Sequence, residues 1–307
     1  MALSVVLWNC GGKNRIPEVT DKRIEKIQTT FDGGEQRPDV VLAQKIYHKT
    51  INDKWKQLFP KTSASFYHDK ARCYFKESSQ VKFLSPEDVI RAADQITDDI
   101  RCVVDRIHCA ILTMAGEEEI LICSWHGLPQ DMFIHAKISM LERMLKLVER
   151  LRLANGCSAA LVGGDYNLEE QITREEVLSY LNTTAEVAEA ELYSYEKPEC
   201  GPGIIDFVIA WPNQKFTLNK ESTRPIQLFA PEDPPDQGLF DHTPIRYNFT
   251  FRLASPPPPF PPLPSPRPPL PQPSRPPSPF PQPSRPPSPF PQPSRPPPVP
   301  PPAAQSS

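Results

Sequence analysis

In the stretch Ala159-Ala160-Leu161-Val162-Gly163-Gly164-Asp165-Tyr166-Asn167, four apolar residues run straight into two glycines, a carboxylate, an aromatic and a carboxamide. A short apolar run predicts a strand, here Ala159 to Val162, and the glycines predict the turn that ends it. A buried polar group is costly without a partner. Asp165 and Asn167 are therefore either bonded to their own loop backbone or placed for chemistry.

The same pattern recurs outward in both directions. Upstream, Ile134, Ile138, Leu141, Leu145, Val148 and Leu151 recur at helical spacing, predicting a helix from Ile134 to Ala154 that stops at Asn155-Gly156. Before it, Cys102 to Met114 and Glu119 to Trp125 predict an antiparallel pair turned at Ala115-Gly116-Glu117-Glu118. Ser85-Pro86-Glu87-Asp88 predicts a capped helix start, Asp39 to Gln44 a buried strand and Asp21 to Thr30 a helix. Residues 2 to 8 predict a strand leading into Asn9-Cys10-Gly11-Gly12. Downstream, Thr173-Arg174-Glu175-Glu176 reads as a capping box, and Ile204 to Trp211 and Ile245 to Phe251 as strands. Hairpins mixed with long amphipathic helices predict an α+β layered domain over residues 1 to 252.

Composition changes abruptly after that point. Of 41 prolines in 307 residues, 28 lie between Pro256 and Pro302. That stretch has four charged residues, Arg267, Arg275, Arg285 and Arg295, so a chain of net charge −3 has a body at −7. An acidic body argues against charge-driven binding of long nucleic acid. Seven scattered cysteines without a C-x-x-C pair argue against a disulfide framework or a zinc site. No apolar run reaches the ~20 residues of a membrane span, and the first residues lack a signal peptide's basic start, so an intracellular, cytoplasmic or nuclear protein is expected.

Polar residues stand at or beside strand ends in six places: Asn9, Gln44-Lys45, His126, Asp165 with Asn167, Asp206, and Asp241-His242. Each alone has a structural reading. Asn9 shapes a turn, His126 is a satisfied core histidine, Asp206 is a carboxylate held by backbone donors, and Asp241-His242 starts a turn or helix. Together they supply two histidines, three carboxylates and three carboxamides. That is the inventory for hydrolysing a phosphoester beside a divalent cation, which needs hard oxygen ligands, a base for water and donors for the phosphoryl oxygens.

Trp8-Asn9, the Asp39 to Gln44 strand, Ser124-Trp125-His126, Gly163 to Asn167, Ile205-Asp206-Phe207 and Asp241-His242-Thr243-Pro244 resemble, in order, the motif series of the endonuclease/exonuclease/phosphatase superfamily. Pancreatic-type deoxyribonucleases, abasic-site endonucleases, inositol-polyphosphate phosphatases and deadenylases belong to it. The resemblance implies a four-layered α/β/β/α sandwich of two packed sheets flanked by helices. It implies a metal-dependent phosphoester hydrolase acting on nucleic acid, a nucleotide or a small phosphoester. His242 would be the general base, oriented by Asp206; Asp165 and Asn167 would handle water and a phosphoryl oxygen; His126 would donate to the phosphate or leaving group. Asn9 and Asp241 would help to hold Mg²⁺ or Mn²⁺. Similarity to the pancreatic-type enzymes at Tyr74-Phe75-Lys76-Glu77 implies that Glu77 orients His126; a solvent-facing Glu is the other reading.

One position departs from the series. Where most of the superfamily has Gln-Glu, with that Glu the principal metal ligand, this chain has Gln44-Lys45. Three readings stay open: a domain that binds phosphate ligands without turnover, an enzyme whose ion is held by another carboxylate such as Glu77 or Asp241, or an ammonium standing in for the ion's charge.

Residues 253 to 307 carry a ten-residue repeat, PSRPPSPFPQ at Pro273–Gln282 and again at Pro283–Gln292, with imperfect copies on either side. Such proline density predicts a disordered, polyproline-II-like tail. A spacer is one reading. The other is a ligand for aromatic grooves. Arg295, Pro298 and Pro301 fit an SH3 ligand, Phe260, Pro261, Leu263 and Pro264 an EVH1 ligand, and the tract as a whole a profilin-type partner.

Overall fold

The structure is a computed structural model. It describes residues 1–11, 17–32, 37–63, 70–94, 96, 101–129, 131–168, 177, 179, 189–194, 206–228, 239–240 and 242–252. By its contacts the chain divides into Met1–Ser255 and Pro256–Ser307, and all described residues lie in the first unit. The predicted capping box at Thr173 and the whole proline-rich segment fall outside them.

In chain order the elements are β1 (Ala2–Asn9), α1 (Pro17–Asp32), β2 (Val40–Gln44), α2 (Lys49–Leu58), β3 (Ala71–Phe75), β4 (Gln80–Phe83), α3 (Pro86–Ala93) and α4 (Arg101–Val104). Then follow β5 (Ile107–Thr113), β6 (Glu119–His126), α5 (Ile134–Ala154), β7 (Ala159–Asp165), β8 (Glu191–Ser194), β9 (Asp206–Trp211), β10 (Phe216–Leu218), β11 (Arg224–Pro225) and β12 (Ile245–Phe251). One six-stranded sheet runs β10-β12-β1-β2-β3 with β11 on β12; the other runs β4-β5-β6-β7-β9-β8. Both mix parallel and antiparallel pairs.

Three apolar clusters stack these elements into four layers. Val5, Leu7, Leu42, Phe75, Leu112, Leu161 and Val208 fill the space between the sheets. Trp8, Ile27, Phe31, Val41, Trp55 and Phe59 join the first sheet to α1 and α2. Val103, Met144, Leu145, Val148, Val162 and Phe207 join the second sheet to its helices. Each such side chain, fully removed from water, contributes ~1.5–3 kcal/mol, which is why strands apolar on both faces sit mid-sandwich. The α+β sandwich expected from the sequence is the fold observed.

Local chemistry sets the element ends. Ser85 Oγ accepts the Asp88 N–H at 3.1 Å while Asp88 Oδ2 accepts the Ser85 N–H at 3.1 Å, the reciprocal cap expected at α3. α5 stops where Gly156 takes φ +68°, a conformation glycine adopts without penalty.

Two boundaries differ from expectation. The strand read from Cys102 begins only at Ile107, because Arg101–Val104 forms a helical turn whose Val103 and Val104 enter the helix-side core. A short apolar run does not distinguish the two states. The strand read as ending at Val162 continues through Gly163 and Gly164 to Asp165. These glycines mark close approach rather than a turn: a Cβ at Gly163 would come within 2.6 Å of Leu42 Cδ1, and one at Gly164 within 2.0 Å of the Trp125 carbonyl oxygen.

Candidate active site

Strand pairing alone gathers the polar strand ends. β1 and β2 are parallel, so Asn9 stands beside Gln44. In the second sheet His126 is paired with Asp165 and Asp165 with Asp206, one row across three strands. The rows of the two sheets meet: Asn9 Nδ2 donates to Asp165 Oδ2 at 2.7 Å, and Gln44 Nε2 donates to Ser124 Oγ at 3.0 Å.

Asp165 is the hub, with a side chain fully out of solvent. Its Oδ1 accepts the Asn167 N–H at 3.0 Å, a local bond made by turning Asn167 to φ +51°. Its Oδ2, beside the Asn9 bond, faces Lys45 Nζ at 3.8 Å and His126 Nε2 at 3.8 Å. Burial raises the Asp165 pKa to about 6, and the Asp206 charge adds to it, against the pull of His242 and Lys45.

His242 Nδ1 lies 2.5 Å from Asp206 Oδ2. Burial alone would lower the His242 pKa, but the hydrogen bond and charge of Asp206, with Asp165 behind it, leave it raised above the ordinary 6.5. His126 is the opposite case. Burial, followed by the charges of Lys45, Arg106 and Lys70, pushes its pKa down to about 3, so it is neutral at physiological pH. Its side chain is 9% exposed, and neither ring nitrogen has a hydrogen-bond partner among the described residues.

Lys45 leaves the end of β2 at φ +54°, its N–H donating to the Lys70 carbonyl at 2.9 Å. That turn carries its ammonium toward Asp165. Arg106 Nη1 donates to the Gly127 carbonyl at 2.6 Å, and the Gly127 N–H donates to the Asp165 carbonyl at 2.6 Å, which ties the loop after His126 to β7. No side chain fits there, since a Cβ on Gly127 would lie 2.3 Å from the Tyr166 carbonyl oxygen.

Asp165, Asp206 and His242 each bring a potential ligand atom within 4.8 Å of the others. Two carboxylates are the hard donors that Mg²⁺ or Mn²⁺ takes, and the buried Asp206 Oδ1 has no hydrogen-bond partner among the described residues, so the donor chemistry fits a divalent cation. Charge opposes it. A dication about 4 Å from the Lys45 ammonium would be repelled by ~8 kcal/mol at an effective dielectric near 20, before solvent screening.

Of the residues singled out from the sequence, His242, Asp206, Asp165, Asn167, His126, Asn9 and Lys45 converge here. Asn9 Oδ1 accepts the Gly11 N–H at 3.0 Å while its amide nitrogen donates to Asp165, so Asn9 also fixes the Asp165 carboxylate. Glu77 is corrected in place. β3 runs antiparallel to β2 with Ala71 beside Gln44 and Phe75 beside Val40, so Glu77 is exposed past the far end of β3, on the order of 15–20 Å along the chain from this edge. Asp241 lies outside the described residues. Lys70 and Arg106 were missed: Lys70 precedes a strand that alternation did not reveal, and Arg106 sits where helix and strand were merged.

No protein-family model matches the sequence, and no curated protein matches it. Solved structures do. D. rerio TDP2 complexed with single-strand DNA product is similar at TM-score 0.54 and 14% identity, over 81% of this chain and 99% of that one. An endonuclease/exonuclease/phosphatase from Bacteroides vulgatus is similar at TM-score 0.53 and 15% identity, over 82% and 100%. The human Nocturnin catalytic domain with bound sulfate anion is similar at TM-score 0.53 and 12% identity, over 82% and 95%. Two packed mixed sheets with helices on both sides, shared with these structures over four-fifths of the chain, give this protein the endonuclease/exonuclease/phosphatase fold.

Proposed function

We propose that this domain binds a phosphoester at the Asp165–Asp206–His242 edge and hydrolyses it, with His242 as general base. The observation that carries the reading is the 2.5 Å His242–Asp206 pair beside a buried carboxylate. With Asp206 accepting from Nδ1–H, the Nε2 lone pair of neutral His242 is left to take a proton from water. The water oxygen bonds to phosphorus as the bond to the ester oxygen breaks. Asp165, fixed by Asn9 and Asn167, orients that water. Neutral His126 keeps one ring N–H, which donates a hydrogen bond to a phosphoryl or leaving oxygen. Asp165 and Asp206 would hold Mg²⁺ or Mn²⁺, which would supply Lewis-acid stabilisation of the phosphoryl charge.

The test is hydrolysis of plasmid DNA, RNA and chromogenic phosphodiesters and monoesters by native protein and His242→Ala, with and without Mg²⁺. Turnover lost by two orders of magnitude or more in His242→Ala supports the reading; a native protein silent on every substrate overturns it. A second reading, a phosphate-ester-binding domain without turnover, is favoured by the Lys45–Asp165 contact. It is chosen if only Lys45→Glu turns over. The proline-rich segment is proposed as a separate ligand for SH3, EVH1 or profilin-type domains, tested by pull-down with the isolated segment.

A further inference from the structure

We infer that Arg23 and Phe240 are positioning residues for His242: they pin the segment that carries it to α1 and β1. The inference rests on the reading of His242 as the general base. Asn9, Gln44, His126, Asp165 and Asp206 all lie within strands, so backbone pairing fixes where each stands. His242 lies in none, three residues before β12 begins. Its 2.5 Å contact with Asp206 therefore depends on what holds the chain on either side of it.

After His242 the hold is the first sheet itself. The Ile226 N–H donates to the Pro244 carbonyl at 2.8 Å, and Ile245 pairs with both Pro225 and Leu7. Before His242 the hold is made by side chains. Phe240, 4% exposed, enters the apolar cluster between the first sheet and its helices, with its ring centroid 4.9 Å from that of Trp8. Arg23 of α1, 3% exposed, donates from Nε to the Leu239 carbonyl at 2.5 Å. A guanidinium so far out of water needs acceptors, and one of those it takes here is the backbone two residues before Phe240's successor but one, His242 being reached within three residues of Leu239. The end of β1 serves both halves of the site, because successive residues of a strand point to opposite faces. Trp8 enters the helix-side cluster and meets Phe240, while Asn9 reaches the cleft and bonds Asp165. One strand thus fixes Asp165 directly and the His242 segment through Phe240.

Misplacing a reacting group by ~1 Å costs on the order of 10²-fold in rate, and neither Arg23 nor Phe240 is placed to touch substrate, so their loss should fall on turnover rather than on binding. The experiment compares the full native chain with Arg23→Met, Arg23→Lys and Phe240→Leu, each checked for native circular dichroism. One measurement is kcat and KM on the phosphoester that the native protein turns over. The other is the far-downfield proton resonance of the short Nδ1–H bond to Asp206, assigned by its absence in His242→Ala. In Arg23→Met, kcat should fall about tenfold or more with KM changed less than about twofold, and the resonance should broaden or vanish. Arg23→Lys, which keeps a charged donor, should hold kcat within about threefold and retain the resonance. Phe240→Leu should lower kcat about threefold or more with KM unmoved, and it decides the matter if Arg23→Met does not fold. A native protein without the resonance overturns the inference, as does a KM that rises as far as kcat falls, or a folded Arg23→Met that keeps both kcat and the resonance. A protein silent on every substrate whose resonance still vanishes in Arg23→Met sinks only the hydrolase reading. Turnover that needs His242 but is unmoved in Arg23→Met and Phe240→Leu sinks only the positioning role.

Discussion

His242 Nδ1 lies 2.5 Å from Asp206 Oδ2 although 36 residues separate them in sequence, and the contact leaves one imidazole nitrogen for water. Replacing Asp206 by Asn keeps the shape and reverses the polarity, since an amide donor facing Nδ1 favours the tautomer with its proton on Nε2. Turnover should fall on the order of 10³-fold with phosphate affinity changed less than about threefold. Equal loss in both quantities would mean that Asp206 shapes the cleft and does not orient the base.

The same pair sets a pH dependence. A base works when neutral, and the raised His242 pKa delays that state, so kcat/KM should climb through a limb centred above pH 6.5. Asp206→Asn removes the cause of the rise, and the residual activity should climb at lower pH than native. A limb that stays in place in the variant would assign the titration to another group.

Gly164→Ala should be among the most damaging single-atom additions to the fold. Its Cβ would meet the Trp125 carbonyl oxygen at 2.0 Å and carbonyl carbon at 2.7 Å, and backbone of a paired strand has nowhere to go. A loss of about 3 kcal/mol is expected in urea unfolding, with weaker phosphate binding because β6 and β7 carry His126 and Asp165. A loss under 1 kcal/mol would show that the strands separate easily.

The glycines also show where sequence reasoning reaches its limit. Gly163-Gly164 correctly announced a special place on the chain, but their meaning lies in Leu42 and Trp125, residues brought there by the other strands. Periodicity recovered α5 and β12 to the residue, because each presents an apolar pattern long enough to be unambiguous. It gave no sign of β3, whose five buried residues include Arg72, bonded to Asn52 at 3.2 Å. Missing β3 hid Lys70 and misplaced Glu77. The polar residues at strand ends were legible as a set, since burial of so many unpartnered groups needs a reason. Their distances were not, because register is a property of pairs of strands.

Away from the cleft, Glu149 accepts the Trp211 indole N–H at 2.8 Å and both Arg152 Nε at 2.6 Å and Nη2 at 2.7 Å. Glu149→Leu leaves a buried indole N–H and a guanidinium without their acceptor. The expected cost is about 3 kcal/mol in urea unfolding, with phosphate affinity untouched. A stable variant would mean that solvent reaches these donors.

His126 and Asp165 pull stability in opposite directions as pH falls. The folded state keeps His126 neutral down to about pH 3, whereas an unfolded histidine takes a proton near 6.5, so acid costs stability throughout that window. Asp165 is protonated in the folded state below about pH 6, and in the unfolded state only below about 3.8, so its contribution grows as pH falls through that interval. Between pH 6 and 4 the two slopes, each about 1.4 kcal/mol per pH unit, offset one another. His126→Gln removes only the first. Relative to native protein, the variant should gain about 3 kcal/mol on going from pH 6 to pH 4, read by urea unfolding at the two values. A difference independent of pH would mean that His126 titrates in the folded protein as it does in water, and that the cleft is wetter than its burial implies.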